Sequence, residues 1–375
     1  MKQLIKNNLK HIRGWRTNRK IVVISVDDYG NVRVGSKQAR ENMDKAGLKV
    51  HSRFDAYDAL ETREDLEHLF EVLHSVKDRH NKPAVFTPFA LPCNINFEAM
   101  QADNYKSYSY ELLPETYQKL SEQQPKAYQG TWQLWQQGIE EGLLRPQFHG
   151  REHFNVKVFN SLLESQNKTL LTSLANRSNV SISDTGFSEI KYTAAFAFQK
   201  PDELNDLKVI ATDGVKTFEQ VFGYQPIHFM APTANVHDEI IKDLNNEGIK
   251  AFDRGKSHKN HIGNGVYKTS YHYTGKIVNE DQLTLVRNVV FEPTSNKNAV
   301  DMAIKQIEAA FRWKAPAIIS SHRVNFCGHI DPKNREKGLS DLKLLLHKIV
   351  KKWPEVEFMS SEELIKLIRA KKRLD

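Results

Sequence analysis

Cysteine is nearly absent. Two in 375 residues, Cys93 and Cys327, cannot build a disulfide framework, and both read as reduced, buried thiols. No apolar run approaches the ~18 residues of a membrane span. Acids are missing from residues 1–20, which carry seven Lys/Arg; of the net charge of +8, only +1 remains for the rest of the chain. A pI near 9.1 therefore describes one segment rather than a basic face, and nucleic acid is not an expected partner. The same segment lacks the apolar core and small-residue cleavage site of a signal peptide, so a cytoplasmic location is expected. Leu4, Ile5, Leu9, Ile12 and Trp15 fall on one helical face between the charges. Weak contact with the inner membrane surface is one reading of that face. A helix packed over one end of the fold is the favoured one. Also absent are a His-Glu-x-x-His helix, a Walker phosphate loop, a Gly-x-Ser-x-Gly elbow and a Gly-x-Gly-x-x-Gly turn.

What is present is a hydrophobic run, Ile21 to Val26, that ends in Asp27-Asp28-Tyr29-Gly30, and a later Phe-His-Gly-Arg-Glu-His stretch supplying His149 and His153. Residues four apart on a helical turn share a face, so both imidazoles can address one ion together with a carboxylate. Two His and one Asp suit zinc or another first-row cation and leave positions open for water and substrate. The spare Asp is then a general base beside it. Neighbouring strand residues point to opposite sides, so Asp27 and Asp28 can share a site only where the strand has ended. Tyr29-Gly30 is the expected break.

Strand-like and helix-like patterns alternate along the chain. Strands are expected at 21–26, 84–88, 146–148, 227–230, 249–252, 283–291, 317–320 and 356–358. Helices are expected near 34–46, 62–78, 132–144, 202–221, 236–247, 296–312, 334–352 and 360–372. Strands spaced by helices predict a parallel sheet, and seven or eight such units predict closure into a barrel. No repeat or linker divides 21–375, which reads as a single domain behind the basic segment 1–20. Residues 92–128 read as irregular, and their Tyr105, Tyr108 and Tyr110 suit either a sugar-stacking lid or a solvated insertion packed by its own aromatics. Trp132 and Trp135 suit the core. His258 and His261 read as solvated, His68 and His74 as helix-surface residues.

The motifs resemble those of the polysaccharide deacetylase (NodB-homology) family: Asp27-Asp28, then His149-Gly150-Arg151-Glu152-His153, then Ile318-Ile319-Ser320-Ser321-His322. The opening Asp27-Asp28-Tyr29-Gly30 is also similar to that of diacetylchitobiose deacetylases. The resemblance implies an irregular (β/α) barrel of about seven parallel strands, with Asp28, His149 and His153 binding metal, Asp27 as base and His322 as acid. It spans most of 20–370 as short motifs. Three departures stand out. Tyr29 is an extra residue before the glycine. The long interval from Asp28 to His149 implies an insertion within 55–145. The family's Arg-x-Pro is matched only by Met230-Ala231-Pro232, so its arginine is missing; Arg254, beside Asp253, or Arg151 is expected to supply that charge to Asp27 or Asp253. Tyr29, Arg151, Pro232, Asp253 and Arg254 are candidate substrate contacts.

These observations predict a divalent-metal hydrolase, zinc first and iron, cobalt or nickel next, that removes an acetyl or similar acyl group from a carbohydrate. His322 would be held as imidazolium by a carboxylate or carbonyl, with Asp253 a candidate partner. Two rivals are a catalytically silent glycan-binding protein and a metal-independent glycoside hydrolase using Glu152 and Asp27.

Overall fold

The first strand explains much of the architecture. Ile21, Val22, Val23, Ile24 and Val26 are all buried, as expected of a β-branched run in the middle of a parallel sheet covered on both faces. Ile21 and Val23 join Ala251, Leu283, Leu285 and Ile318 in one apolar cluster, while Val22, Ile24 and Val26 join the large outer core. The inner cluster is closed at one end by Leu364, Ile365 and Ile368 from the helix Ser361–Lys372, and Trp15 packs on it.

The computed structural model describes residues 7–372. Its strands are β1 (Lys20–Tyr29), β2 (Phe86–Ala90), β3 (Cys93–Ile95), β4 (Tyr110–Leu112), β5 (Gln147–Phe148), β6 (His228–Phe229), β7 (Ala251–Asp253), β8 (Ser257–His261), β9 (Tyr267–Tyr271), β10 (Lys276–Val278), β11 (Gln282–Leu285), β12 (Val289–Val290), β13 (Ala317–His322) and β14 (Val356–Met359). The main sheet runs β10-β11-β7-β6-β5-β2-β1-β13-β12, with β14 paired to the first residues of β1. All its ladders are parallel except β10–β11. Helices flank it, among them Leu204–Phe222, Ala299–Arg312 and Pro332–Lys352.

The expected ring of about seven strands is not closed. The curled sheet has ten strands, and the run expected as one strand, 283–291, is split into β11 and β12. The break has a local cause. Asn288 spends its side chain on the neighbouring strand, Nδ2 donating to Pro316 O (2.8 Å) and Oδ1 accepting from Ile318 N (2.9 Å). These bonds stand beside the main-chain bond from Asn288 N to Ile318 O (3.1 Å), and Arg287 next to it turns inward.

Residues 92–128 are ordered rather than irregular: the β3–β4 hairpin is followed by helices Leu113–Gln123 and Pro125–Tyr128. Tyr108 packs on Phe154 and Phe159, so this tyrosine joins the core. Trp135 is fully buried, and Cys93 and Cys327 are buried free thiols. His261 is buried too, in the β8–β9 hairpin between Phe198 and Tyr267, where its Nε2 accepts from Gly265 N. The expected solvated loop is thus a hairpin. At the N-terminus, residues 7–9 are helical and 10–14 turn, with Arg16 donating to the carbonyls of His11, Ile12 and Trp313. The described part of this segment is packed on the fold, although Leu9 and Ile12 stay exposed; Leu4 and Ile5 lie outside the described residues. Among the described residues no helix is long and apolar enough to cross a membrane.

Candidate active site

The alternation of the inner face carries directly into the site. In β1 the inward series Ile21, Val23 leads to Asp27; in β13 Ile318 leads to His322; in β7 Ala251 leads to Asp253; past β11 Leu283 and Leu285 lead to Arg287. Asp27 and His322 are register partners across β1 and β13. An apolar floor therefore ends in a ring of polar groups at the carboxyl ends of the strands, where loops leave room for a ligand.

Asp28 reaches the same side by breaking the alternation. Its φ is 76°, and the β1–β2 register shifts between Val26 and Tyr29. A non-glycine residue in this region costs about 1–2 kcal/mol, so the turn must be held from outside. Glu61 accepts from Gly30 N–H, and Asn94 accepts from Val32 N–H while donating to Gly30 O. Gly30 itself has φ 77°, and a Cβ there would stand 2.6 Å from Leu91 O. The extra residue Tyr29 is an anchor: it is buried edge-on against Trp135 and does not line the cleft.

His149 and His153 come from a loop after β5, not from one helical turn as the spacing predicted. Gly150, at φ 109°, folds that loop back. His149 Nδ1 lies 2.7 Å from Met230 O. A carbonyl only accepts, so Nδ1 carries a proton and Nε2 is the ring atom that faces Asp28. Asp28 Oδ1 stands 3.4 Å from His149 Nε2 and 2.8 Å from His153 Nε2. One donor atom from each residue falls within 4.8 Å of the others. Burial opposes the charge on Asp28, but His153 and His149 hold its carboxyl well below the usual range. Two imidazole nitrogens and one ionised carboxylate converging in a cleft, with one tautomer fixed from behind, fit a divalent cation.

Asp27 faces this triad and is gripped by Arg287 through Nη1–Oδ2 and Nη2–Oδ1, both 2.7 Å. Arg287 Nε donates to Asp253 (2.6 Å), and the guanidinium lies 4.8 Å from the Phe89 ring centre. Burial disfavours the cation, yet the two carboxylates drive its pKa upward, and Arg287 holds Asp253 below the usual carboxylate range against its own burial. The charge expected from Arg254 or Arg151 comes from neither. Arg254 binds Asp238 and Val236 O; Arg151 binds Glu152 and Asp213.

His322 closes the far side. Its Nε2 is 3.9 Å from Asp27 Oδ2, and its Nδ1 is 2.6 Å from Glu292 Oε1. Glu292, not Asp253, is thus its carboxylate partner, and Glu292 is held by Arg53 and Asn325. Burial works against the imidazolium, but Glu292, Asp28 and Asp27 raise its pKa to about 9. The cleft is about 350 Å³ and includes Arg33, Phe54, Ser181, Thr193, Met230 and Thr233 around the polar ring. Arg151, Pro232, Asp253 and Arg254 do not line it, although Met230 and Thr233 flank Pro232.

Arg287 and Glu292 escaped the sequence reading. The available signal was an Arg-Asn pair inside a mostly apolar run, Leu283 to Phe291, since a buried charge requires a partner.

No protein-family model and no curated protein matches this chain. Among solved structures, its fold is similar to a putative polysaccharide deacetylase from Mycobacterium smegmatis, at 12% identity and TM-score 0.46, over 96% of this chain and 94% of that one. It is similar to Puue allantoinase at 9% identity and TM-score 0.44, over 94% and 91%. It is also similar to 4-alpha-glucanotransferase from Thermococcus litoralis at 10% identity and TM-score 0.44, over 93% of this chain and 40% of that one. The reading of the site rests on its own geometry and motifs.

Proposed function

We propose that this chain is a divalent-metal-dependent hydrolase that removes an acetyl or similar acyl group, N- or O-linked, from a carbohydrate. The observation that carries it is the convergence of Asp28, His149 and His153 opposite an Arg287-bound Asp27 and a Glu292-bound His322 in one cleft. The carbohydrate part of the reading comes from the motif resemblance.

Asp28, His149 and His153 hold the cation; zinc is the first choice, and iron, cobalt and nickel suit the same donors. When bound, it supplies Lewis acidity towards an acyl oxygen and towards water. Asp27, aimed by the two-pronged grip of Arg287, accepts the proton of the attacking water. His322, charged through Glu292, donates a proton to the leaving amine or alkoxide. Phe54, edge-on to His322 at 5.4 Å, gives that side of the cleft an apolar wall.

The rival readings lose their motives. A silent binder would leave the base without an arginine, whereas Arg287 stands at Asp27. A glycoside hydrolase would need Glu152 across from Asp27, but its carboxyl is tied to Arg151 and Tyr108. Elemental analysis of purified protein, paired with acetate release from N- and O-acetylated sugars, tests the proposal. Stoichiometric metal with acetate release supports it; metal-free protein that cleaves glycosidic bonds overturns it.

A further inference from the structure

Parts of two acid-free stretches, distant in sequence, meet on one side of the molecule. Residues 1–20 hold seven Lys/Arg, and residues 254–279 hold five; neither contains Asp or Glu. The second stretch forms the β8–β9 hairpin and β10, and residues 10–15 lie against it: Trp15 N donates to Thr274 O, and Lys256 Nζ donates to Leu9 O. Between them run two adjoining clefts, of about 210 and 700 Å³. Lys10, Arg13 and Lys256 line both, Lys276 lines the larger, and no carboxylate lines either.

The cations are not neutralised. Lys256 and Lys276 donate to backbone carbonyls, of Leu9 and Tyr271, and among the described residues none of the four basic groups makes an ion pair. Burial, and after it the nearby Lys256, lower the pKa of Lys10. Natural proteins that gather cations without acids leave an anion-sized electrostatic deficit. The rim adds a second property. Leu9, Ile12 and Tyr271 are 48%, 51% and 68% exposed, on the same segment and hairpin that carry the cations. Aliphatic side chains beside lysines match the boundary between phosphate headgroups and acyl chains better than they match a soluble anion or a nucleic-acid backbone.

We propose that this face docks on an anionic phospholipid membrane, with lipid phosphates between Lys10, Arg13, Lys256 and Lys276 and with Leu9, Ile12 and Tyr271 entering the headgroup layer. Arg287 lines the back of the smaller cleft, but Lys10, Arg13, Lys256 and Lys276 do not line the Asp28 cleft, and the proposal does not depend on the reading of that site. Arg16 donates to the carbonyls of His11, Ile12 and Trp313, and Arg19 and Lys20 pair with Glu357 and Glu355, so the described part of the segment stays on the fold and presents the cleft.

The test is co-sedimentation of the full chain with phosphatidylcholine vesicles, with and without phosphatidylglycerol. Binding is expected only with the anionic lipid and is expected to weaken as salt rises. The double variant Lys256→Glu/Lys276→Glu and the single variant Ile12→Glu should each weaken binding at least about tenfold, on the scale of a few-fold per cation at such surfaces. Lys343→Glu, outside the clefts, should leave it unchanged. Should the reversal variant fail to fold, Lys256→Gln/Lys276→Gln carries the same test, with circular dichroism as the check. Three results overturn the proposal: no binding by the parent chain, parent-like binding by either cleft or rim variant, or capture of inorganic phosphate or an oligonucleotide without vesicle binding.

Discussion

Arg287 and Asp27, 260 residues apart, meet in a two-pronged ion pair with both N–O distances at 2.7 Å, and the same guanidinium binds Asp253. One cation thus serves two buried carboxylates. Such pairing adds little over a well-packed apolar substitute, but removing one partner leaves uncompensated charge.

Arg287→Ala should therefore lower stability by about 3–5 kcal/mol and turnover by about a hundredfold. Arg287→Lys keeps charge but not the planar fork, so it should recover more stability than activity. Denaturant midpoints and initial rates measure the two. Equal recovery of both would mean that Arg287 only balances charge.

The metal assignment predicts that His149→Ala or His153→Ala loses stoichiometric metal while the circular dichroism spectrum persists. Chelation of the parent protein should abolish turnover, and re-addition of zinc or another first-row cation should restore it. A His149→Ala protein that still holds one metal tightly would refute the ligand set.

Asp27→Asn should slow turnover about a hundredfold or more with metal retained, because Asn accepts no proton and cannot hold both prongs of Arg287 as an anion does. Loss of metal in this variant would make Asp27 a ligand and exchange its role with Asp28.

How much of this was legible in the sequence follows from how local each signal is. Asp27-Asp28 and His149…His153 are short-range patterns, and period-two alternation along β1 puts Asp27 on the inner face without further information. The means of convergence was not legible. His153 swings in through Gly150 in a loop, and Asp28 through a left-handed turn held by Glu61 and Asn94 from distant segments. Arg287 sits where Asn288 interrupts the sheet, a tertiary event that apolar periodicity cannot encode. The same holds for Glu292, which finds His322 only because β12 lies beside β13.

His322 gives the most discriminating pH test, because its partner is now identified. Its folded pKa, about 9, lies above the ordinary 6.5, so the charged form is favoured in the fold. The sign follows from linkage: its contribution to stability is complete below about 6.5 and is lost as pH rises through about 9. As a proton donor it should give activity a basic limb in the same direction, falling at high pH. A dication at Asp28 opposes the imidazolium, so in the loaded protein the limb is expected between those two values. Glu292→Gln removes the hydrogen-bonded carboxylate and should shift the limb down towards 6.5, with metal content unchanged. His322→Ala should abolish the limb and slow amide substrates more than activated esters, whose leaving groups need no proton. If both substrate classes slow equally and the limb survives, His322 packs the strand end and donates nothing.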